Sequence, residues 1–356
     1  MCGYREVGLC AGETRGQKGT TADRNGFVVR LILRGYLVEH VGLFVVGLAL
    51  LAAGAPLLVF GAARLDRRAG RSPFAVGAVA IGLGPCLAGL AFDLAVLLRP
   101  VPQSMPRLAV GNIVGGNVAN IGFALAVAAL VRPVRATARV FYTAIPLAFG
   151  ATLLFWFLAR ISPLSRVDAG FLLAACAVAL VLLIRVARRE SEDVKAEFAA
   201  WVPERVPVWL AVLFALAGAA ALVGGALLAA EEALATAVHL KFSSLQLGTT
   251  IAAFGTTLPT CVATGVVARR GRVNAALGLV VASVLFNLLL TAGLVAMAQP
   301  VLIEERAIMK AIPVMALFTL LLLPVLLNDL SLPRWEGGLM LAAYAGFVIW
   351  QVLAGR

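Results

Sequence analysis

Gly111-Asn112-Ile113-Val114-Gly115-Gly116-Asn117-Val118-Ala119-Asn120 sets three amides and three glycines inside an otherwise apolar run, about 108–131. That run is long enough to cross a bilayer as a helix. Asn117 and Asn120 stand one helical turn apart on a single face. Amides in hydrocarbon are costly unless they are paired or face a cavity. The stretch is therefore either a helix–helix contact or the wall of a polar site. A second stretch repeats the layout: Gly278-Leu279-Val280-Val281-Ala282-Ser283-Val284-Leu285-Phe286-Asn287, with Ser283 and Asn287 again one turn apart.

The rest of the chain sets these two stretches in a membrane. Of 356 residues, 62% are hydrophobic and 13% are charged, and the mean hydropathy is +0.97. Soluble domains carry about 25% charged and about 45–50% apolar residues. A cytosolic enzyme, a disordered chain and a disulfide scaffold are thereby excluded. The net charge of +12 does not point to nucleic acid, because the basic residues lie almost entirely between apolar runs. The expected partners are the lipid bilayer and a small inorganic ion, with no nucleic acid. Cys2, Cys10, Cys86, Cys176 and Cys261 are scattered, without zinc spacing or a disulfide framework. No nucleophile–base set or cofactor motif appears, so the chain reads as neither an enzyme nor a cofactor carrier.

Ten candidate spans follow a polar N-terminal tail at 1–35, which reads as disordered and carries no apolar signal-peptide core. The spans cover roughly 41–63, 73–98, 108–131, 140–159, 168–187, 207–230, 243–268, 273–298, 308–327 and 335–353. The charged loop 188–206 divides them into two five-helix units, 41–187 and 207–353. Counted with the flanking Arg185 and Lys310, one alternate set of loops carries 16 Lys and Arg and the other carries 8. The positive-inside rule puts the richer set, including 188–206, in the cytoplasm and both termini outside, as expected of a cell inner membrane protein. An odd number of spans per unit gives the two units opposite topology.

The units share more than the amide stretches. Gly47 to Gly54 in span 1 matches Gly218 to Gly225 in span 6, each pair 171 positions apart. Ala80-Ile81-Gly82-Leu83-Gly84-Pro85-Cys86 in span 2 matches Ala253-Phe254-Gly255-Thr256-Thr257-Leu258-Pro259-Thr260 in span 7. Glycine and proline weaken the helical ladder, so spans 2 and 7 are expected to be broken at mid-membrane. Repeats of inverted topology with paired broken helices are a pointer to a transporter's central site. The fold expected is thus all-α: ten transmembrane helices as two inverted five-helix repeats, with helices 2 and 7 broken.

These segments resemble the two alpha repeats of the sodium/calcium exchanger family, the cation/calcium antiporters. That family carries G-[ST]-[ST]-x-P-E and G-N-x-x-G-S-N-x-x-[ND] in each half. The resemblance runs from about 41 to 353. Gly111 to Asn120 departs from it only at Gly116, and Gly255 to Pro259 matches directly. It implies a core of helices 2, 3, 7 and 8, alternating access with helices 1 and 6 as gates, and calcium held by the motif glutamates. Here Thr260 stands at the glutamate position of span 7. In span 2 the motif is one residue shorter, so that Cys86 follows the proline and a gapless alignment gives Leu87 instead. Asn287 replaces an aspartate. The ion-binding candidates are accordingly Asn117, Asn120, Thr256, Thr257, Thr260, Ser283, Asn287 and Cys86, joined by Asp93, the acidic residue two turns beyond Cys86. No metal-ligand set is assigned, and a bound monovalent cation is the one small ligand envisaged.

A doubly charged ion among uncharged dipoles is costly to desolvate, since the Born cost scales with the square of the charge. Calcium normally takes carboxylates among its 6–8 oxygens. The sequence therefore reads as a secondary-active antiporter of exchanger type with weak or absent calcium transport. The alternative is a non-transporting paralogue that keeps the fold as a structural or interaction protein. Asp93 could alternatively snorkel or pair with Arg99 or Arg107. Glu231, Glu232 and His40 read as interfacial residues at span ends.

Overall fold

The protein is described by a computed structural model covering residues 38–54, 56–58, 60, 61, 64, 73–98, 105–135, 138–161, 163–188, 206–240, 242–269, 271, 273–303, 310–323 and 331–353. The N-terminal tail 1–35 and nearly all of the 188–206 loop lie outside these residues.

The described chain is almost wholly helical. In order, α1 is Val38–Leu58, α2 is Pro73–Leu98, α4 is Ala138–Arg160, α5 is Arg166–Arg188, α6 is Val208–Leu240, α9 is Ile312–Leu320 and α10 is Arg334–Leu353. Between these, α3 joins Met105–Ala119, a π-helical turn Asn120–Leu125 and Ala126–Val131. Similarly, α7 joins Ser244–Leu247, a π-helical turn Gly248–Ala252 and Ala253–Arg269. Finally, α8 joins Val273–Phe286, a π-helical turn Asn287–Thr291 and Ala292–Ala298. Seven of these helices are long and apolar enough to cross a membrane. Their outer faces are apolar, as lipid requires: Phe157, Phe171, Val178, Leu216, Leu339 and Ile349 are all exposed.

The middle is taken by α3 and α8. In each, 83% of the apolar window is buried, against 22% to 44% in the other five spans. Around them α2 and α7 pack, so that α2, α3, α7 and α8 form one cluster. Glycines decide how closely two of these helices cross. A Cβ on Gly115 would stand 2.4 Å from the Thr249 carbonyl oxygen, and one on Gly248 would stand 2.4 Å from that of Leu108. The backbones of α3 and α7 touch there directly, as small residues permit between membrane helices.

A second glycine seam joins α1 to α6 in antiparallel fashion. A Cβ on Gly218 would stand 2.3 Å from the Leu58 nitrogen, one on Gly54 2.8 Å from the Leu222 nitrogen, and one on Gly47 2.7 Å from the Ala229 nitrogen. At one end of this seam His40 of α1 contacts Glu232 of α6 as a hydrogen-bonded pair. Glu232 is thus buried against α1, whereas Glu231 is exposed. Removing one member of a buried pair leaves the other's charge uncompensated. His40→Ala is therefore expected to lower stability by about 1–3 kcal/mol, and more than the double variant His40→Ala/Glu232→Leu. Thermal melts of the two variants in detergent provide the check.

The expected breaks in helices 2 and 7 are corrected by the structure. α2 runs without interruption through Gly82, Gly84 and Pro85, and α7 continues through Pro259. One proline removes a single ladder bond, and the turns on either side keep theirs. The irregular backbone is instead a set of π-helical turns. Two of them start at Asn120 and Asn287, the closing amides of the two matched stretches. Such turns insert one extra residue and occur often at functional sites.

Two short strand pairings tie the connections together. β1 (Val134–Arg135) pairs antiparallel with β2 (Ser331–Leu332). Leu164 and Val301 form an isolated bridge, with reciprocal backbone bonds of 3.0 and 3.1 Å. Val301 lies 167 positions beyond Val134, and Ser331 lies 167 beyond Leu164. Asn120 and Asn287 are separated by the same interval.

Candidate functional site

Where α2, α3, α7 and α8 converge, they enclose a small polar cavity of about 20 Å³, room for about one water-sized species. It is lined by Cys86 and Gly89 from α2, Asn112, Gly116 and Asn120 from α3, Thr256, Thr257 and Thr260 from α7, and Ser283 and Asn287 from α8. Seven of the nine residues singled out in the sequence thus meet at one point. The walls come equally from the two halves of the sequence, five residues from each.

The two remaining candidates lie elsewhere. Asn117 is buried but is not a lining residue. Its Nδ2 donates to the Ile113 carbonyl one turn back at 2.9 Å. The lining stripe of α3 is Asn112, Gly116 and Asn120, spaced by four, and this stripe excludes Asn117 from the cavity wall. Asp93 is fully buried and does not snorkel. It sits one layer behind the cavity wall, where its Oδ1 accepts from Asn112 Nδ2 at 2.9 Å.

Asn112 is the residue that sequence reasoning missed. Its Oδ1 accepts from Thr256 Oγ1 at 2.8 Å, so it links α2, α3 and α7 in one chain of hydrogen bonds. The signal for it was present: its spacing to Gly116 and Asn120 is that of one helical face.

The hydrogen-bond directions give the cavity a polarity. Asn287 Nδ2 donates to the Ile113 carbonyl at 2.9 Å, leaving its Oδ1 beside Gly89. Cys86 Sγ–H donates to the Ser283 carbonyl at 3.4 Å. Thr256 and Asn112 donate as described above. Each of these donors gives its hydrogen to the surrounding protein. Asn120 Oδ1 and Ser283 Oγ are buried without a hydrogen-bond partner. Buried polar atoms are normally satisfied, so two unpartnered oxygens in the lining of a cavity mark a place that favours an electron-poor guest.

Gly116 stands where the exchanger motif has serine. A Cβ there would come 3.2 Å from Asn287 Nδ2, so this glycine leaves room for Asn287 and removes one hydroxyl from the wall. Cys261, one residue beyond Thr260, is not among the lining residues, so Cys86 stands there as a single sulfur. Among the described residues, no group of three or more His, Cys, Asp or Glu side chains could hold a metal ion.

Comparison with known proteins places this geometry. The family model described as sodium/calcium exchanger protein matches residues 39–185 and again 209–353. The chain is 29% identical over 308 residues to CaxA of Alkalimonas amylolytica, covering 85% of this chain and 95% of that one. It is 27% identical over 320 residues to the inner membrane protein YrbG of Escherichia coli, covering 87% and 95%. It is 26% identical over 342 residues to the sodium/calcium exchanger MaX1 of Methanosarcina acetivorans, covering 86% and 97%. Its fold is similar to the solved sodium-calcium exchanger NCX_Mj, with a TM-score of 0.60 at 24% identity over 88% of this chain and 98% of that one. Two matched segments that together span most of the sequence, and a helical fold shared with a solved exchanger, lead to one conclusion: this chain is a member of the sodium/calcium exchanger family and an integral membrane protein.

Proposed function

We propose that the chain is a secondary-active antiporter that moves a cation by alternating access, with a central site suited to a monovalent ion and poorly suited to calcium. The observation that carries this reading is the cavity shared by both motifs. Its donors on Cys86, Asn112, Thr256 and Asn287 are spent on the protein, the oxygens of Asn120 and Ser283 are unpartnered, and no carboxylate lines it. A wall of acceptor oxygens favours positive charge. Retention of unpartnered oxygens in a buried cavity also weighs against a purely structural paralogue, for which apolar packing would be less costly.

The architecture that goes with this reading is ten membrane helices in two inverted repeats, 41–187 and 207–353, joined by a cytoplasmic loop at 188–206. It is supported by the recurring interval of 167 positions, at which the π-helical turns and the two strand pairings repeat. Each pairing also joins two loops that the Lys and Arg count assigns to one side of the membrane. The termini then lie outside, in a cell inner membrane, in keeping with the description of the YrbG relative.

Proteoliposomes containing the purified protein test the proposal. Sodium-driven calcium uptake at micromolar calcium is expected to be weak or absent, while sodium alone raises the melting temperature, because a ligand that binds the native state stabilises it. Robust calcium uptake would overturn the monovalent preference. Absence of stabilisation by any of a panel of ions would overturn the transport site.

A further inference from the structure

We infer that Asp93 supplies the counter-charge for the cavity's cation and, through Asn112, sets the polarity of the wall. This rests on the proposed function of the cavity. The family motif assigns this position no role.

With Asp93 ionised, the Asn112 amide has one orientation. A carboxylate oxygen accepts, so the Asn112 amino group must face Asp93 Oδ1, at 2.9 Å. The Asn112 carbonyl oxygen is thereby turned towards Thr256, whose hydroxyl donates to it at 2.8 Å. An amide oxygen has two lone pairs. One is taken by Thr256, which leaves the second for a guest. Having given its hydrogen to Asn112, Thr256 also has its own lone pairs open. One carboxylate behind the wall thus converts two side chains in front of it from donors into acceptors.

The charge itself is still uncompensated. Asp93 is fully buried, and its Oδ2 has no hydrogen-bond partner. It lies on the same face of α2 as Cys86 and Gly89, which line the cavity, and one turn beyond Gly89. Since Gly89 carries no side chain, nothing from α2 at that turn stands between the cavity and the Asp93–Asn112 contact. An ion in the cavity would be held by neutral oxygens and balanced by a carboxylate one residue away. That arrangement binds one positive charge with modest desolvation and lacks the second negative charge a divalent ion needs.

The test is sodium binding to the full-length protein in detergent. It is read as the sodium-dependent rise in melting temperature, with N-methylglucamine holding ionic strength constant. Asp93→Asn is expected to weaken sodium binding about tenfold or more, equivalent to about 1.4 kcal/mol. The exchange variant Asp93→Asn/Asn112→Asp keeps both hydrogen bonds and one negative charge. It is expected to bind sodium within about threefold of wild type, or about 0.7 kcal/mol, whereas a purely structural role would leave Asp93→Asn, whose amide oxygen still accepts from Asn112, binding sodium as the wild type does. Unchanged binding in Asp93→Asn would overturn the inference and leave the cavity reading standing. No sodium, potassium or lithium binding by the wild type would overturn both. If Asp93→Asn is not monodisperse, the exchange variant decides alone: retained binding supports the counter-charge, and lost binding refutes it.

Discussion

Thr260→Glu is expected to raise calcium affinity roughly 100-fold, equivalent to about 2.7 kcal/mol. Thr260 is buried and lines the cavity directly after Pro259 of α7, the position at which the exchanger motif carries its glutamate. A carboxylate there would sit within the site, unlike that of Asp93. At an effective dielectric of about 20, a unit negative charge about 4 Å from a divalent ion is worth about 8 kcal/mol before desolvation is subtracted. The same charge is worth half that to a monovalent ion, so selectivity is expected to shift towards calcium as well. Thr260→Gln serves as the control, because it adds the length without the charge. Calcium-dependent melting and calcium uptake into proteoliposomes are the measurements. A folded Thr260→Glu protein with wild-type calcium response would show that missing charge is not what limits the site.

Gly115→Ala is expected to destabilise the protein by about 3 kcal/mol, the upper end for overpacking a well-packed core. The new methyl would meet the Thr249 carbonyl oxygen at 2.4 Å and the Thr249 Cα at 2.6 Å. Both are backbone atoms of the π-helical turn in α7, so no side-chain rotation relieves the contact. α3 and α7 would have to move apart, and the cavity they share would open with them. Ion-dependent stabilisation should therefore fall together with the melting temperature. Gly150→Ala in α4 is the matched control, since a methyl there meets nothing within 4 Å. It should be neutral or slightly stabilising through helix propensity. Equal melting temperatures for the two variants would contradict the close crossing.

Much of this was legible in the residues, for identifiable reasons. Apolar length gave the spans, because lipid imposes the same requirement on every one of them. Polar residues in matched stretches pointed to the cavity they line, since Asn120, Ser283 and Asn287 have no cheap place in hydrocarbon. Other features were not legible. Asn117 and Asn112 are both within one turn or two of Asn120, and spacing alone does not say which stripe of α3 looks inward. Packing against the Gly248 turn of α7 decides that. Pro85 and Pro259 suggested broken helices, yet a helix held on several sides tolerates one missing bond. The π-helical turns carry no proline and gave no such sign. The pairing of Glu232 gave no sign because its partner, His40, lies 192 positions away in the chain.

The size of the cavity has a bearing on turnover. At about 20 Å³ it accepts a bare ion but not one that still carries its water shell. Each passage must then include stripping and restoring that shell at the mouth of the site. Ions of equal charge should be sorted by how readily they shed water as much as by how well they fit.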